Sequence, residues 1–271
     1  MGSEVSKLNE HVKGIALAAY NKADYQTAFS LYETAANEGN DTEAMYNLGI
    51  MCATGRGTKQ DYLKALEWFT KALGAGDTQS EKMLDKVSWD YFNSNLNSWT
   101  AEQAFEAAAT ITRIRYGSGD ISKAKDLLEG IGGNLIQGHN DYPRGAKCFR
   151  AMAQYGDSDP AQFNMGLFCL NGQGVDENSL AALYWFGRSS IKGNVPAKEK
   201  RNWLMNEYIR QLDFPGAMGQ MNILVRKCRD GADDIPKDSD SFTLWQSVLT
   251  KLTMLNQMGK MQGDFSSVLF G

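Results

Sequence analysis

The feature that most constrains the fold is a segment of 36 residues that occurs twice, at 42–77 and at 159–194. The two copies align without a gap when the numbering is shifted by 117, which is three times 39, so further copies are expected in the interval. A recurring period of this length indicates a tandem-repeat protein. The matching pairs are Ala44/Ala161, Asn47/Asn164, Gly49/Gly166, Cys52/Cys169, Gly55/Gly172, Gly57/Gly174, Ala65/Ala182, Trp68/Trp185, Phe69/Phe186 and Gly76/Gly193.

Three segments that open with Asp-Tyr, at Asp24, Asp61 and Asp141, have the apolar spacing of an α-helix. Steps of three and four residues place such side chains on one face of a helix. Each segment ends near a glycine, which is the usual residue at a left-handed helix C-cap. The expected caps are Gly39, Gly76 and Gly156. In the second segment the apolar or small positions are Tyr62, Ala65, Leu66, Phe69, Ala72 and Leu73.

Small and aromatic residues recur at fixed places in the copies, and each kind has a packing reason. Small residues are predicted where the two helices of a hairpin approach closely. A G-x-G sequence supplies a turn that needs permissive dihedral angles. The tryptophans are predicted to be buried anchors. These structural positions are Ala28, Ala65 and Ala182; Gly49 and Gly166; Gly55, Gly57, Gly172 and Gly174; Gly76 and Gly193; and Trp68 and Trp185.

The two strong copies resemble the Sel1-like repeat, a relative of the tetratricopeptide repeat with a longer G-x-G loop. The family pattern is roughly A-x-x-x-L-G-x-x-Y-x-x-G-x-G-V, followed by K-A, W-[YF], K-A and a closing G. Cys52 and Cys169 stand where the family has tyrosine, and Met165 stands where it has leucine. The resemblance implies an all-α fold, an α-solenoid in which antiparallel helix hairpins form a right-handed superhelix.

We predict one solenoid domain over residues 4–257, with about five to six repeats. The two units in the middle match the family pattern only weakly. A terminal helix is expected to cap the exposed end of the solenoid, and a flexible tail is expected after it. The predicted units are about 8–40, 42–77, 78–120, 121–157, 159–194 and 196–231, with the capping helix at 238–257 and the tail at 258–271.

Composition narrows the classes of partner. With a net charge of -4, the chain has no long-range attraction to nucleic acid or to an anionic membrane. No apolar run reaches the roughly 18 residues of a membrane helix. The four cysteines lack C-x-x-C spacing and only two histidines could join them, so neither a metal nor a cofactor is expected. We expect a monomer.

Unpaired thiols favour the cytoplasm, because it is a reducing compartment. The first residues, Met1 to Glu4, lack the features of a signal peptide. A periplasmic or secreted location is the alternative if an export signal preceded them.

Motifs of the common hydrolases and nucleotide-binding proteins are absent, so we expect a protein that is not an enzyme. Two S-x-x-K matches occur, at Ser122–Lys125 and Ser189–Lys192. Some Sel1-like proteins have been linked to β-lactam binding, which makes a β-lactam-binding or hydrolase-like enzyme the alternative. A pathogen or host-interaction factor is a third hypothesis. Cys52 and Cys169 are predicted to be packed thiols and not nucleophiles.

The resemblance also implies where a partner binds, because first helices of tetratricopeptide hairpins line the inner face of the solenoid. In peptide-clamping relatives, the aligned position that Asn47 and Asn164 occupy here holds an asparagine that bonds the ligand backbone. The alternative is that this asparagine makes a hydrogen bond within its own repeat. We therefore predict a non-catalytic scaffold or adaptor that binds a protein or peptide partner. The predicted contact positions are Tyr46, Asn47, Ile50, Ala53 and Thr54 in one copy, and Phe163, Asn164, Leu167, Leu170 and Asn171 in the other.

Overall fold

Eleven helices follow one another along residues 2–211, the part of the chain that the computed structural model describes, and this part contains no strand. The all-α fold class is therefore confirmed over this range. The second helix of the predicted unit 196–231, the capping helix 238–257 and the tail 258–271 lie outside the described residues. The helices are α1 (Gly2–Asn21), α2 (Tyr25–Gly39), α3 (Thr42–Thr54), α4 (Tyr62–Gly74), α5 (Gln79–Asn95), α6 (Ala101–Tyr116), α7 (Ile121–His139), α8 (Tyr142–Gln154), α9 (Asp159–Asn171), α10 (Ser179–Ile191) and α11 (Val195–Gln211).

The chain divides into two compact units, Met1–Leu127 and Leu128–Gly271. Each unit contains one strong copy of the repeat. In the first unit α3 packs against α4, and α2 and α5 pack on this hairpin. In the second unit α9 packs against α10, and α8 and α11 pack on that hairpin. Short connections between packed neighbouring helices are typical of antiparallel hairpins.

Polar residues just before the helices explain why the helices begin where they do. At seven helix starts the side chain of the N-cap residue accepts a hydrogen bond from a backbone N–H three positions later, which satisfies a donor that the helix itself leaves free. The aspartates of the Asp-Tyr pairs at 24, 61 and 141 have this role, so the motif that opens these three segments is a helix start. The capping residues are Asp24, Asp41, Asp61, Thr100, Asp141, Ser158 and Asn178.

The prediction of glycine C-caps is right for one of the three segments. Gly76 has a φ of 104° just after α4. The predictions for Gly39 and Gly156 are wrong, because the residues that follow them, Asn40 and Asp157, take the left-handed conformation with φ of 48° and 45°. Short polar side chains tolerate this conformation, since they can form local hydrogen bonds.

The recurring glycine of the first helix makes room for an aromatic ring of the second helix. A Cβ added at Gly49 would lie 2.7 Å from a ring carbon of Phe69, and one added at Gly166 would lie 2.5 Å from a ring carbon of Phe186. The small residue of the second helix is also needed, because Ala65 is fully buried. Ala28 and Ala182 have the same exposure of 0%. Close approach of the two helices, predicted from the small residues, is confirmed at these positions.

The second glycine of each G-x-G loop packs against the preceding hairpin. Gly57 has a φ of 74°, and a Cβ added to it would overlap the carbonyl oxygen of Tyr25. Gly174 also has a φ of 74°, and a Cβ there would overlap the carbonyl oxygen of Tyr142. The loop of one repeat therefore rests on the Asp-Tyr helix start of the repeat before it. We call this contact the loop latch.

The third hairpin, α5 and α6, lacks a G-x-G loop and has an aromatic cluster at the corresponding place. The ring of Tyr91 lies 6.1 Å from that of Tyr62 and 5.1 Å from that of Trp99. Trp99 also packs edge-on against Phe92 at 5.4 Å. Tyr62 belongs to the Asp-Tyr pair of the preceding repeat, so aromatic packing takes the position of the loop latch here.

Candidate functional site

The ten residues predicted to contact a partner form equivalent stripes on α3 and α9. None of the ten is buried. The buried residues of these helices are Ala44, Met45, Leu48, Gly49, Met51 and Cys52 in α3, and Ala161, Gln162, Met165, Gly166, Phe168 and Cys169 in α9. The sequence register therefore identifies the open face of each helix correctly, while binding itself stays a prediction. We call the two stripes the α3 face (Tyr46, Asn47, Ile50, Ala53, Thr54) and the α9 face (Phe163, Asn164, Leu167, Leu170, Asn171).

An aromatic ring on each face is held by a phenylalanine of the second helix. Tyr46 packs edge-on against Phe69 with 5.5 Å between ring centroids. Phe163 packs against Phe186 at 5.7 Å, with the two ring planes tilted by 50°. The glycine that contacts each phenylalanine allows this approach, so the repeat fixes the position of the half-buried ring on the open face. A rigid aromatic side chain offers contact area at a low cost in conformational entropy.

The amides of Asn47 and Asn164 lie beside these rings, and both residues are half-buried. Neither side chain makes a hydrogen bond within residues 2–211, so the bond within the repeat that was the alternative does not form in this range. A primary amide carries two N–H donors and one acceptor oxygen. Each face therefore presents hydrogen-bonding groups next to an apolar ring.

The C-terminal ends of the two faces differ from each other. The hydroxyl of Thr54 donates a hydrogen bond to the carbonyl oxygen of Ile50 at 2.8 Å, so it is engaged within its own helix. Asn171 is exposed at the corresponding position of α9. The structure thus groups the predicted residues on one face of each helix. The hydroxyl proton of Thr54 is already used in a hydrogen bond within α3, whereas Asn171 is an exposed side chain.

The sequence reasoning missed Trp203 on α11, whose side chain is 52% exposed. Among the residues of α11 whose burial the structure describes, Ala197, Arg201 and Leu204 are buried, and they correspond to buried positions of α9 at a shift of 36. The same shift aligns Trp203 with Leu167, a residue of the α9 face. The available signal was a lone tryptophan in a helix rich in charged residues.

The S-x-x-K matches do not form a serine–lysine pair within the described residues. Ser189 is buried, and its hydroxyl bonds with the carboxylate of Asp159. The ammonium of Lys192 pairs with Asp157 at 2.5 Å. Ser122 is exposed at the start of α7, where its backbone N–H donates to Asp120. Each serine is therefore engaged in local structure, and no nucleophile is activated by its lysine.

The cysteines of the described range are buried and form no disulfide with one another, as predicted for the two repeat positions. Burial raises the pKa of the Cys52 thiol to about 11 and that of Cys148 to about 12. Cys169 is likewise fully buried. Neutral, buried thiols are poor nucleophiles. Cys228 lies outside the described residues.

Residues 2–211 also bear on metal binding and on membrane insertion. Among these residues no group of three or more histidine, cysteine, aspartate or glutamate side chains is arranged to hold a metal ion. None of the helices described there combines the length and the apolar character that crossing a bilayer requires.

Hairpins that repeat along the chain, with one open stripe on each first helix, define an α-helical repeat protein of the tetratricopeptide type. A family model described as Sel1 repeat matches residues 21–40, 42–77 and 159–194. These three segments of the chain are Sel1 repeats. The first match covers the second helix of the first hairpin, and the other two cover the strong copies.

Curated proteins that are similar to this chain include animal and plant relatives. DAP3-binding cell death enhancer 1 of Rattus norvegicus is 27% identical over 185 residues, which make up 68% of this chain and 34% of that protein. The Mus musculus protein of the same name is 28% identical over the same shares. ERAD-associated E3 ubiquitin-protein ligase component HRD3A of Arabidopsis thaliana is 38% identical over 60 residues, 22% of this chain and 9% of that protein. This chain spans about a third of the length of the rodent relatives.

Two solved structures are also similar. One is a protective antigen of uropathogenic Escherichia coli strains with an SLR fold, at 18% identity and a TM-score of 0.34, covering 94% of this chain and 55% of that chain. The other is a Sel1 repeat protein from Oxalobacter formigenes, at 18% identity and a TM-score of 0.28, covering 94% of this chain and 86% of that chain.

Proposed function

We propose that this chain is a non-catalytic interaction module in which the α3 face and the α9 face can each hold an extended segment of a protein partner. The observation that carries this proposal is the pair of half-buried amides, Asn47 and Asn164, at the same register and without hydrogen bonds inside residues 2–211. The backbone of an extended peptide presents N–H and C=O groups along its length. One amide side chain can bond both groups of a single residue.

The neighbours of each asparagine define the side chains that the segment would carry. Tyr46 and Ile50 flank Asn47, and Phe163 and Leu167 flank Asn164. Both faces therefore favour apolar side chains on either side of the bonded backbone group. Aromatic residues that are held in place dominate the energetics of many protein interfaces. The α9 face is the more apolar of the two, because phenylalanine replaces tyrosine there.

The names of the relatives support this class of function. The rodent proteins are named for binding another protein, DAP3, and the plant protein is named as a component of a ubiquitin ligase. Both names describe proteins that work in association with other proteins. For this chain they support a scaffold or adaptor role, and the chemistry of the two faces supplies the proposed recognition mode.

Selection of displayed random peptides on the wild-type chain, followed by affinity measurement on the variants, tests the proposal. We expect Asn47→Ala or Asn164→Ala to weaken binding of the selected peptides by about 5- to 30-fold, the loss of one or two interfacial hydrogen bonds. Asn37→Ala is the matched control, because Asn37 is exposed on α2, outside both faces. Fluorescence anisotropy gives the dissociation constants.

Equal affinity of all four proteins for every selected peptide would exclude the two faces as the recognition site. Thermal unfolding of each variant separates a lost contact from a lost fold, since a half-buried asparagine is expected to contribute little to stability. The alternative, a β-lactam-binding enzyme, predicts covalent labelling by a fluorescent penicillin. We expect no labelling, because Ser189 is buried and bonded to Asp159.

A further inference from the structure

Helix α1 aligns with α3 through the hydrogen bonds that close their hairpins. The backbone N–H of Asp24 donates to the carbonyl oxygen of Ala19 at 3.0 Å, and the backbone N–H of Asp61 donates to the carbonyl oxygen of Cys52 at 2.9 Å. Asp24 and Asp61 are the N-caps of the two second helices, so the two bonds are equivalent. The first helices therefore align at a shift of 33 residues.

Two side chains of α1 lie at positions of the α3 face in this alignment. Leu17 aligns with Ile50, and Tyr20 aligns with Ala53. The side chain of Leu17 is 51% exposed and Tyr20 is half-buried, so this side of α1 is open as well. Residues three apart are neighbours on a helix surface. We call Leu17 and Tyr20 the α1 face.

Arg56, the middle residue of the first G-x-G loop, connects the end of the α3 face with the α1 face. It follows Thr54 by two positions, and its backbone N–H donates to the carbonyl oxygen of Met51 at 3.0 Å. Its guanidinium donates a hydrogen bond to the hydroxyl of Tyr20 and lies 5.7 Å from the centre of that ring. It also lies 5.5 Å from the centre of the Tyr25 ring. Contact with two rings restricts the side chain before a partner arrives, which lowers the entropy cost of binding.

The positive charge of Arg56 has no carboxylate partner among residues 2–211. Lys13 of α1 is in contrast paired with Asp41 at 3.0 Å and with Glu43 at 3.1 Å. Arg56 is exposed, and a guanidinium carries five N–H donors in a planar fork that matches a carboxylate. Tyr20 accepts one hydrogen bond from it. The remaining donors form an anion-binding group beside an exposed apolar side chain of the α1 face.

We propose that the partner segment held on the α3 face carries an aspartate or glutamate whose carboxylate binds Arg56, next to an apolar side chain that contacts Leu17. This inference rests on the proposed function, because it concerns the same segment. A carboxylate complements the unpaired charge of Arg56, whereas a lysine or arginine of the partner is repelled there. Two parallel hydrogen bonds between a guanidinium and a carboxylate also add geometric specificity.

The second unit provides an internal comparison, because its G-x-G loop lacks the charge. Gln173 stands in the position of Arg56 at the shift of 117 that relates the two strong copies. An amide can accept and donate hydrogen bonds but does not attract an anion as a guanidinium does. A preference for acidic segments is therefore expected of the α3 face and not of the α9 face.

Synthetic peptides with acetylated and amidated ends test the proposal on the full chain, since only side-chain carboxylates remain in them. The peptides are those selected by display whose binding Asn47→Ala weakens. We expect replacement of one aspartate or glutamate by its amide to weaken binding to wild type about 10-fold, the loss of a charge-assisted hydrogen-bonded pair. The same replacement should leave binding to Arg56→Gln unchanged. Arg56→Lys should restore only part of the discrimination, because it keeps the charge without the fork.

Lys71→Gln is the matched control, because it removes another cation that lies over an aromatic ring. The Lys71 ammonium is 4.3 Å from the centre of the Trp68 ring, but Lys71 belongs to α4 and lies outside the α3 face. We expect Lys71→Gln to discriminate between the acidic peptide and its amide as wild type does. Peptides that depend on Asn164 should bind Arg56→Gln and wild type equally. Thermal unfolding establishes that each variant is folded, as expected for exposed positions.

The failure of this inference is distinguishable from the failure of the proposed function. If peptides depend on Asn47 but contain no acidic residue, or if Arg56→Gln still prefers the acidic peptide to its amide as strongly as wild type does, the arginine contact is overturned and the α3 face stands. An equal loss of discrimination in Lys71→Gln would overturn it too, because the effect would then come from overall charge. Selected peptides that depend on neither Asn47 nor Asn164 would instead overturn the proposed function itself.

Discussion

Asp157 shows how one residue can serve both the backbone and the packing of a repeat. It lies three residues after the end of α8 in the left-handed conformation, with a φ of 45°. Its carboxylate accepts a hydrogen bond from Gln162 at 2.9 Å and pairs with Lys192 at 2.5 Å and with Arg188 at 3.3 Å. Burial acts to raise the pKa of Asp157, but the hydrogen bonds from Lys192 and Gln162 and the nearby positive charges hold it below its ordinary value.

We predict that Asp157→Asn lowers the free energy of unfolding at pH 7 by less than ~1 kcal/mol, because the side chain is 62% exposed and solvent screens its ion pairs. Asparagine tolerates the left-handed backbone, so the variant isolates the charge. A carboxyl with a lowered folded-state pKa stabilises the fold above its unfolded-state pKa, and this contribution is lost as the pH falls through the folded-state value. Urea titrations from pH 7 to about 3 should therefore show the two proteins converging at acid pH. A difference that grows on acidification would contradict this account.

The identity of individual cap residues is the part of the local structure that the sequence did not reveal. A glycine marked the end of each Asp-Tyr segment, yet the left-handed residue is Asn40 after Gly39 and Asp157 after Gly156. Both types of residue can adopt this conformation, and the choice depends on where the last turn stops. That boundary is set by tertiary packing as well as by local preference. Burial of Trp68 and Trp185, in contrast, followed from their place in the helical stripe.

At the scale of the element, the loop latch explains why G-x-G and Asp-Tyr recur together. Gly57 must satisfy two conditions, a positive φ and close approach to the carbonyl of Tyr25, whereas Gly76 has a φ of 104° and open space around it. We predict that Gly76→Ala lowers the free energy of unfolding by about 1 kcal/mol, the cost of the left-handed conformation alone. Gly57→Ala should cost at least ~2 kcal/mol more, because the backbone of α2 must also shift.

Chemical denaturation of the two variants measures this difference, and Gly174→Ala should behave like Gly57→Ala because it approaches Tyr142 in the same way. Similar losses for Gly57→Ala and Gly76→Ala would show that the latch contact is unimportant. The latch could not be predicted from the sequence, because the pattern places Gly57 and Tyr25 in different repeats and does not say which residues touch. Helix positions were predictable, since stripes and caps are local signals.

At the scale of the whole molecule, sequence periodicity predicts the succession of hairpins better than it predicts the binding surface. The register placed all ten predicted residues on open faces, because burial of a helix face follows from its spacing. It missed Trp203, since α11 carries no G-x-G loop or Asp-Tyr pair to anchor the alignment.

A repeat protein in which each hairpin rests on its neighbours should respond locally to the loss of a core anchor. Trp68 is 5% exposed and Trp185 is 0% exposed, so truncation of either to alanine should cost about 3–5 kcal/mol. We predict that Trp68→Ala increases amide hydrogen exchange in α3, α4 and the adjoining helices, whereas α9 and α10 keep their protection. Trp185→Ala should give the converse pattern, because opening free energies differ among cooperative segments of one chain.

Mass spectrometry of peptides after hydrogen exchange reports each helix separately, and Trp203→Ala is the control because Trp203 is exposed. The milder substitution Trp68→Phe keeps the comparison possible if the alanine variant fails to fold. Loss of protection to the same extent in every helix would mean that the chain unfolds as one cooperative block. Local loss would instead mean that stability is passed between adjacent hairpins through contacts such as the loop latch, and that a partner bound on one face stabilises chiefly the hairpins beneath it.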